Sequence, residues 1–168
     1  MDNIYNLLKS IDFNDKIIKK ENTTPTQINK MKTIISSSSF FSSKNIKKLN
    51  DYIKNNKFYS YDINLKIKGK NTEIVIISSL KINSIRILYK YLKILFTLYI
   101  HKNDSLLDKI YIHIIPINIK KFLPNKNKIL TSEHINSAFS YINYYKKGGD
   151  IYIYRKEELK KVFVHELL

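Results

Sequence analysis

The strongest constraint on the fold is an apolar stripe at residues 85–99, which lies between stretches that have the periodicity of strands. Its members recur at the spacing i, i+3, i+4, i+7 without a miss, namely Ile85, Leu88, Tyr89, Leu92, Leu95, Phe96 and Tyr99. Such a stripe predicts an amphipathic helix, which either Asn83 or Ser84 can cap. Because the apolar residues occupy a single face, we expect the helix to lie across one face of a sheet.

Strand signals stand on both sides of this stripe. From residue 58 apolar residues alternate with mostly polar ones, and an apolar run at 74–77 follows a turn at Gly69. This pattern predicts a β-hairpin. Beyond the helix, the β-branched run at 109–115 is stopped by Pro116 and predicts a third strand. Its His113 is expected to be a strand residue that faces solvent or a neighbour, not a metal ligand.

Two further strands and a helix follow in the last part of the sequence. The segment 134–143 has a middle of small residues and predicts a strand, which residues 144–150 turn around. The short apolar segment 151–154 then leads directly into a helical pattern. The order strand, strand, helix, strand, strand, strand, helix indicates an α+β fold, with a mixed or antiparallel twisted sheet, a backing helix and a C-terminal helix.

The first third of the chain has a weaker pattern. Residues 1–20 carry apolar residues at helical spacing, and a Thr/Pro-rich connector at 23–26 interrupts them. A low-complexity serine patch at 36–39 precedes a second helical pattern that starts at Ser43. We therefore predict a helical N-terminal appendix and linker at residues 1–56 and a main domain at residues 57–168.

The charge balance is strongly basic, with a formal net charge of +16. Basic surfaces bind phosphates by counterion release, so a non-enzymatic protein that binds nucleic acid nonspecifically, or that associates with a virion, is an alternative function. However, only Arg86 and Arg155 among the 30 cationic residues are arginines, whereas phosphate and base recognition favours the planar arginine fork. Abundant Ile, Lys, Asn and Tyr are also what an AT-rich coding sequence produces.

Several other classes are disfavoured by composition. The chain has no cysteine, so disulfide frameworks and thiolate metal sites are excluded, and any metal must be held by His and carboxylates. Residues 1–6 lack a basic stretch followed by an apolar run and are not a secretory signal. Because Arg86, Lys90 and Lys93 interrupt the most apolar window, we predict no membrane span and an intracellular protein.

Residues 155–168 combine helical periodicity with a pair of chemically active residues. The apolar face of this helix is formed by Leu159, Val162, Phe163 and Leu167, and a neighbouring polar stripe by Glu158, Lys161 and His165. The dipeptide His165-Glu166, flanked by apolar residues, is the first half of the zinc-protease signature His-Glu-x-x-His. The second histidine would occupy position 169, so we expect the chain to be the N-terminal piece of a longer protein.

With Val164-His165-Glu166-Leu167-Leu168 on a helix that follows a short strand, residues 57–168 resemble the N-terminal subdomain of the zincin metallopeptidases. In that superfamily a backing helix packs on a twisted sheet, an antiparallel edge strand borders the cleft, and the motif helix forms the floor. The run Asn136-Ser137-Ala138-Phe139 is similar to the thermolysin edge strand and, together with residues 153–158 and 162–166, to a group of uncharacterised zinc proteases of large DNA viruses. This resemblance implies a location in the host cytoplasm or the virion.

The resemblance also implies roles for individual residues. His165 would be the first zinc ligand, and Glu166 the general base that takes a proton from zinc-bound water. An extended peptide substrate would pair with the edge strand, at the residues Asn136, Ser137, Ala138 and Phe139. Zinc would be the cofactor of the complete protein, and we expect the chain to be inactive without the second histidine and a third ligand. The competing interpretation is that His165-Glu166 is an incidental pair on a basic helix.

The zincin assignment makes three geometric predictions. Residues 135–142 should form an edge strand antiparallel to its neighbour, along the rim of a cleft. His165 should be partly exposed towards that cleft, with Glu166 beside it. Leu159 should face the sheet and the helix at 84–100, together with Phe163, Val164 and Leu167.

Overall fold

A six-stranded mixed sheet with helices on both faces forms the centre of the protein. The structure is a computed structural model, and it describes residues 2–20, 23–39, 41–67, 69–102, 108–119, 129, 136–143 and 148–161. In chain order the elements are α1 (Asp2–Lys9), β1 (Ile17–Lys20), α2 (Pro25–Ser37), α3 (Ser43–Asn55), β2 (Tyr59–Ile67), β3 (Lys70–Ser78), α4 (Ile82–Lys102), β4 (Lys109–Ile117), β5 (Ala138–Asn143) and β6 (Gly148–Arg155). The predicted α+β class is confirmed.

The strands lie in the order β1-β2-β3-β4-β6-β5. β1, β2 and β3 are antiparallel, and the predicted hairpin turns at Gly69, whose φ of 77° suits glycine because it has no Cβ. β4 is parallel to both β3 and β6, and α4 makes the crossover from β3 to β4. β5 pairs antiparallel with β6 and is the last strand of the sheet within the described residues.

Helix α4 packs on one side of the sheet, which we call the first face. This face carries Ile74, Ile76 and Ile112 among its buried residues. The helix contributes most of the predicted stripe to the same core, namely Ile85, Leu88, Tyr89, Leu92 and Phe96. The prediction of a helix across one face of a sheet is therefore confirmed.

Helices α2 and α3 pack on the opposite side, the second face, where Val75, Ile77 and Ile115 are buried. The helices contribute Met31, Ile35, Leu49 and Ile53 to this core. β1, from the same N-terminal third, extends the sheet beside β2. The division at residue 56 stays a prediction, but the helices before it and the strands after it share one apolar core.

Two strand ends differ from the prediction. β4 runs to Ile117 and includes the Pro116 that was expected to stop it. β6 begins at Gly148, within the stretch that was expected to be a turn.

Two further local errors of the sequence reasoning concern where a helix starts. The Thr/Pro-rich stretch is the beginning of α2 and not a connector: Thr24 is the N-cap and exchanges hydrogen bonds with Gln27, and Pro25 takes an early position where a missing N–H costs little. α4 begins at Ile82, ahead of both expected caps. Its first turn starts there because the Lys81 carbonyl accepts hydrogen bonds from the amides three and four residues later.

Candidate functional site

The segment predicted to hold a peptide lies at an edge of the sheet. β5 is antiparallel to β6, and no described strand lies beyond it. The predicted antiparallel edge strand is therefore confirmed for residues 138–142, whereas its predicted start is wrong for residues 136 and 137, and Ile135 lies outside the described residues. Asn136 and Ser137 precede β5, and Ala138 and Phe139 are its first residues.

The hydrogen-bond pattern shows which main-chain groups of β5 point outwards. The Tyr154 amide donates to the Ser137 carbonyl at 3.1 Å, so these two residues form a hydrogen-bonded pair. Along an antiparallel strand, residues whose main-chain groups bond to the neighbouring strand alternate with residues whose main-chain groups point away from it. The main-chain groups of Ala138 and Ser140 consequently point away from β6, towards the open edge. An extended peptide could pair with them as a further strand.

Several side chains fix the start of this strand. The Asn136 carbonyl accepts hydrogen bonds from the Tyr154 hydroxyl at 2.7 Å and from Arg155 Nε at 2.9 Å. Arg155 is only 1% exposed, and its Nη1 also donates to the Ile119 carbonyl at 3.2 Å. The Ser137 hydroxyl donates to a carboxylate oxygen of Glu158. The strand is thus tied both to β6 and to the residue that precedes the terminal helix.

The terminal helix begins at Leu159 and not at Arg155 as predicted, because Arg155 is the last residue of β6. Leu159 packs against the apolar core of the first face, which is the face that α4 covers. The predicted orientation of Leu159 is confirmed. His165, Glu166 and their apolar neighbours at 163, 164 and 167 lie outside the described residues, so their predicted positions stay predictions.

A second polar cluster lies on the second face, around a residue that the sequence had identified as an ordinary strand residue. His113 faces neighbours and is 1% exposed. Its Nε2 lies 2.8 Å from Oδ1 of Asp150 on β6. Lys30 of α2 donates to both carboxylate oxygens of Asp150 at 3.0 Å. The imidazole stacks on the ring of Tyr152, with centroids 4.2 Å apart and planes 3° from parallel.

Burial and hydrogen bonding set the charge states in this cluster. Burial lowers the pKa of His113 below its ordinary 6.5, although Asp150 acts in the opposite direction. The imidazole is therefore neutral at pH 7, and its Nε2–H donates to Asp150. Burial alone would raise the pKa of the Asp150 carboxyl, but hydrogen bonds from His113 and Lys30 hold it below its usual 3.8. The cluster at neutral pH is a neutral imidazole, a carboxylate and an ammonium.

Two polar atoms of this cluster are buried without a hydrogen-bond partner, His113 Nδ1 and the Tyr152 hydroxyl. Most buried polar atoms in proteins form a hydrogen bond, so these two atoms are exceptions within the described residues. Sequence reasoning missed the cluster, because Lys30 and Asp150 are 120 positions apart. Only the pairing of β4 with β6 brings His113 and Tyr152 opposite each other.

A third polar group lines a cavity of about 340 Å³ between α1, β2 and α4. Lys93, 6% exposed, donates to the Asp15 carboxylate and, at 2.9 Å, to the Lys66 carbonyl. The Tyr89 hydroxyl donates to the same carboxylate at 2.8 Å, and burial together with this bond raises the pKa of Tyr89. Because these groups satisfy one another, the cavity does not indicate a particular ligand.

Exposed positive charge is spread over both sides of the molecule. Lys44, Lys47 and Lys48 are exposed on α3, which covers the second face. Lys81 and Lys90 are exposed on or beside α4, which covers the first face. A dedicated nucleic-acid surface would favour a single stripe of lysines. The exposed lysines among the described residues do not form one.

The comparisons with known proteins were negative: no family model, curated protein or solved structure matches the chain. The part of the chain that the structure describes has no group of three or more His, Cys, Asp or Glu side chains that could hold a metal ion. None of its helices is long and apolar enough to cross a membrane.

Proposed function

We propose that the chain is part of a zinc-dependent metallopeptidase that hydrolyses extended peptides, with His165 as a zinc ligand and Glu166 as the general base. The observation that carries this proposal is the junction between β5 and the terminal helix. There an antiparallel edge strand is bound, through Ser137 and Glu158, to the start of the terminal helix, which we expect to continue to the His-Glu pair. Catalysis requires a fixed distance and orientation between the strand that binds the substrate and the helix that carries the catalytic residues.

Two features of the fold support the proposal. The terminal helix starts on the same face of the sheet as α4, as Leu159 indicates, and we assign these two helices the roles of the motif helix and the backing helix of the zincin arrangement. The outward main-chain groups of Ala138 and Ser140 offer an extended peptide the hydrogen bonds of an added strand. A peptide bound there would run along the edge of the sheet next to the start of the helix.

The sequence contains only part of the ligand set that a catalytic zinc requires. A catalytic zinc usually has three protein ligands and an open position, and the motif supplies only His165 here. In the described residues the His113–Asp150 pair is not a substitute, because the Lys30 ammonium beside it would repel a cation. The peptidase assignment therefore requires a histidine at position 169 and one further ligand.

The proposed role of Glu166 follows from its place in the motif. If His165 and the missing ligands hold zinc, the metal would supply Lewis-acid chemistry, which activates a water molecule at neutral pH. Glu166, adjacent to a ligand on the same helix, would accept a proton from that water and deliver it to the leaving amine.

The first test is the coding sequence beyond Leu168. A histidine codon at position 169 is expected, because residues four apart on a helix lie one above the other and can share one metal. Any other residue there, or a stop codon, refutes the zincin assignment.

The second test uses the protein expressed with that extension. Zinc content is measured by atomic emission, and cleavage is measured with a fluorescence-quenched peptide library. His165→Gln should lose zinc, whereas Glu166→Gln should keep zinc and lower kcat/KM by about 10²–10⁴-fold, the usual contribution of general acid–base catalysis. A Glu166→Gln protein with unchanged cleavage would exclude Glu166 as the base, and His101→Gln, which removes a histidine outside the motif, is the control.

Nonspecific nucleic-acid binding is the competing function, and it makes a different prediction. If the net charge of +16 serves this purpose, log affinity for duplex DNA should fall steeply and linearly with log salt. Since the exposed lysines lie on both sides of the sheet, we expect no retardation of DNA in a gel at about 0.15 M salt. Tight binding at that salt concentration would favour the competing function.

A further inference from the structure

Helix α2 is joined to the distant strand β6 by a polar contact on the second face. The Lys30 ammonium donates to both oxygens of Asp150, and Asp150 in turn accepts from His113 of β4. Side-chain exposure falls along this chain of contacts, from 50% for Lys30 to 20% for Asp150 and 1% for His113. The cluster therefore extends from solvent to a buried titratable ring.

The buried ring has one nitrogen with a partner and one without. Nε2 faces Asp150, while Nδ1 is buried and has no hydrogen-bond partner. A neutral imidazole can leave Nδ1 as an unused acceptor. Protonation turns Nδ1 into a charged donor, and burying a charged donor without an acceptor is costly. The protonated ring would therefore favour a conformation in which water reaches Nδ1.

We propose that His113, Asp150 and Lys30 form an acid-sensitive latch, which holds α2 on the second face at neutral pH and loosens when His113 takes up a proton. This inference is independent of the proposed peptidase activity. It rests on the buried ring, the Nδ1 without a partner and the contact that crosses from α2 to the sheet.

The charges that face His113 come from each element around it. Asp150 on β6 favours the imidazolium, and Lys30 on α2 opposes it. The remaining titratable neighbours are tyrosines: Tyr111 on its own strand and Tyr152 on β6, with Tyr141 of β5 in ring contact with Tyr152. The Asp150 carboxylate is therefore the only one of these groups that favours protonation of His113, and it is already shared with Lys30. Burial of the ring and the Lys30 ammonium both disfavour protonation of His113.

The direction of the pH effect follows from these contacts. His113 has a pKa below 6.5 when α2 is closed and regains about 6.5 when the site opens to water. The open form therefore binds the proton more tightly. The closed form is most stable above pH 6.5 and loses stability as pH falls below it, until the pH reaches the lowered value. Asp150 adds a separate loss, which begins only near its ordinary value of 3.8.

The test is amide hydrogen exchange of the full chain between pH 7.5 and 5.0, corrected for the intrinsic pH dependence of exchange. His113 is protonated in the open form but not in the closed form between pH 6.5 and its lowered pKa. Over this interval the protection of the α2 amides from exchange should fall by about tenfold for each pH unit. Protection of α4 on the first face should change much less. Equal protection of α2 at pH 7.5 and 5.0, or an equal loss in both helices, would overturn the proposal.

Variants identify the residue responsible. His113→Phe keeps a ring that can stack on Tyr152 but cannot titrate, so α2 protection should no longer depend on pH between 7.5 and 5.0. His101→Gln removes a different histidine and should retain the dependence. If His113→Phe does not fold, NMR titration of the His113 ring in the unmodified chain decides instead. A ring that titrates at or above pH 6.5 would refute the latch.

Lys30→Met tests the α2 side of the contact. Because this ion pair is partly exposed, its loss should lower α2 protection at pH 7.5 by only about twofold to fivefold. Lys32→Met, on the same helix, is the matched control and should leave protection unchanged. An equal effect of both substitutions would show that helix propensity, and not the contact with Asp150, holds α2.

Discussion

The two faces of the sheet are both buried, but they are covered by helices from different parts of the chain. On the first face, residues of β2 to β6 pack against α4, which lies between β3 and β4 in the chain. On the second face, residues of β3 to β6 pack against α2 and α3, which precede these strands, and the Lys30–Asp150 contact joins residues 120 positions apart. The first core is mostly aliphatic, whereas the second contains stacked aromatic rings and a buried histidine.

This difference shows where polar chemistry can be accommodated. A helix packed on strands adjacent in sequence needs only a regular apolar stripe, and α4 supplies it. Where the partners are distant, specific polar contacts such as Lys30–Asp150 add to the apolar packing. Such contacts contribute little stability when they are exposed, but they favour one arrangement of the layers over others.

The largest expected effects come from truncating one leucine in each core. Leu92 of α4 and Leu49 of α3 are both fully buried, so Leu92→Ala and Leu49→Ala should each lower the free energy of unfolding by about 2–5 kcal/mol. Urea denaturation followed by circular dichroism and by tyrosine fluorescence measures both. If the two faces belong to one cooperative unit, both variants unfold in one transition.

A different outcome would support the predicted boundary at residue 56. If Leu49→Ala unfolds in two steps, with the helical signal of α2 and α3 lost first, the N-terminal helices form a separately stable layer. A single transition in both variants would contradict the prediction of an appendix.

The next largest effect concerns Arg155. Arg155→Lys keeps the charge but loses the planar fork that reaches both Asn136 and Ile119, and hydrogen bonds to charged groups contribute about 1.5–3 kcal/mol each. We expect a loss of about 1–3 kcal/mol in the free energy of unfolding and faster amide exchange in β5. Arg86→Lys is the control, since Arg86 is the other arginine and is exposed on α4. Equal stability of the two variants would show that the fork is not needed.

The sequence predicted the first face well, because its signals are local. The stripe from Ile85 to Phe96 and the alternation of β2 each identify a buried side without knowledge of the partner. β1 and α2 were missed, since β1 is only four residues long and its pairing with β2 is nonlocal, while the cap at Thr24 was taken for a break. The edge position of β5 was predicted only through the resemblance. The cluster around His113 depends on strand register, which composition does not encode.

Two tyrosines provide a matched comparison of the faces. On the first face the Tyr61 hydroxyl donates to the Leu80 carbonyl at 2.6 Å, so Tyr61→Phe should cost about 1 kcal/mol in the free energy of unfolding. On the second face the Tyr152 hydroxyl is buried without a partner, and Tyr152→Phe should be neutral or slightly stabilising. Thermal unfolding at pH 7 measures both. A clear loss in Tyr152→Phe would indicate that this hydroxyl has a bound water as its partner.

The smallest effect is expected for a pair that belongs to neither core. Lys109 of β4 donates to Glu73 of β3 at 2.7 Å, and their side chains are 40% and 42% exposed, respectively. Glu73→Gln should change the free energy of unfolding by about 0.5 kcal/mol or less. A change larger than that of Tyr61→Phe would mean that the ends of β3 and β4 are held by charge and not by the apolar cores.

The position of β5 has a consequence for the order in which the protein forms. β5 precedes β6 in the chain but, within the described residues, joins the sheet only through β6. During synthesis from the N-terminus, residues 138–143 emerge from the ribosome before β6, the strand through which they join the described part of the sheet. A strand with both edges unpaired is prone to intermolecular pairing. The nascent chain is therefore most exposed to aggregation between the synthesis of β5 and the docking of β6 onto β4, and chaperones that hold extended segments would have their largest effect in that interval.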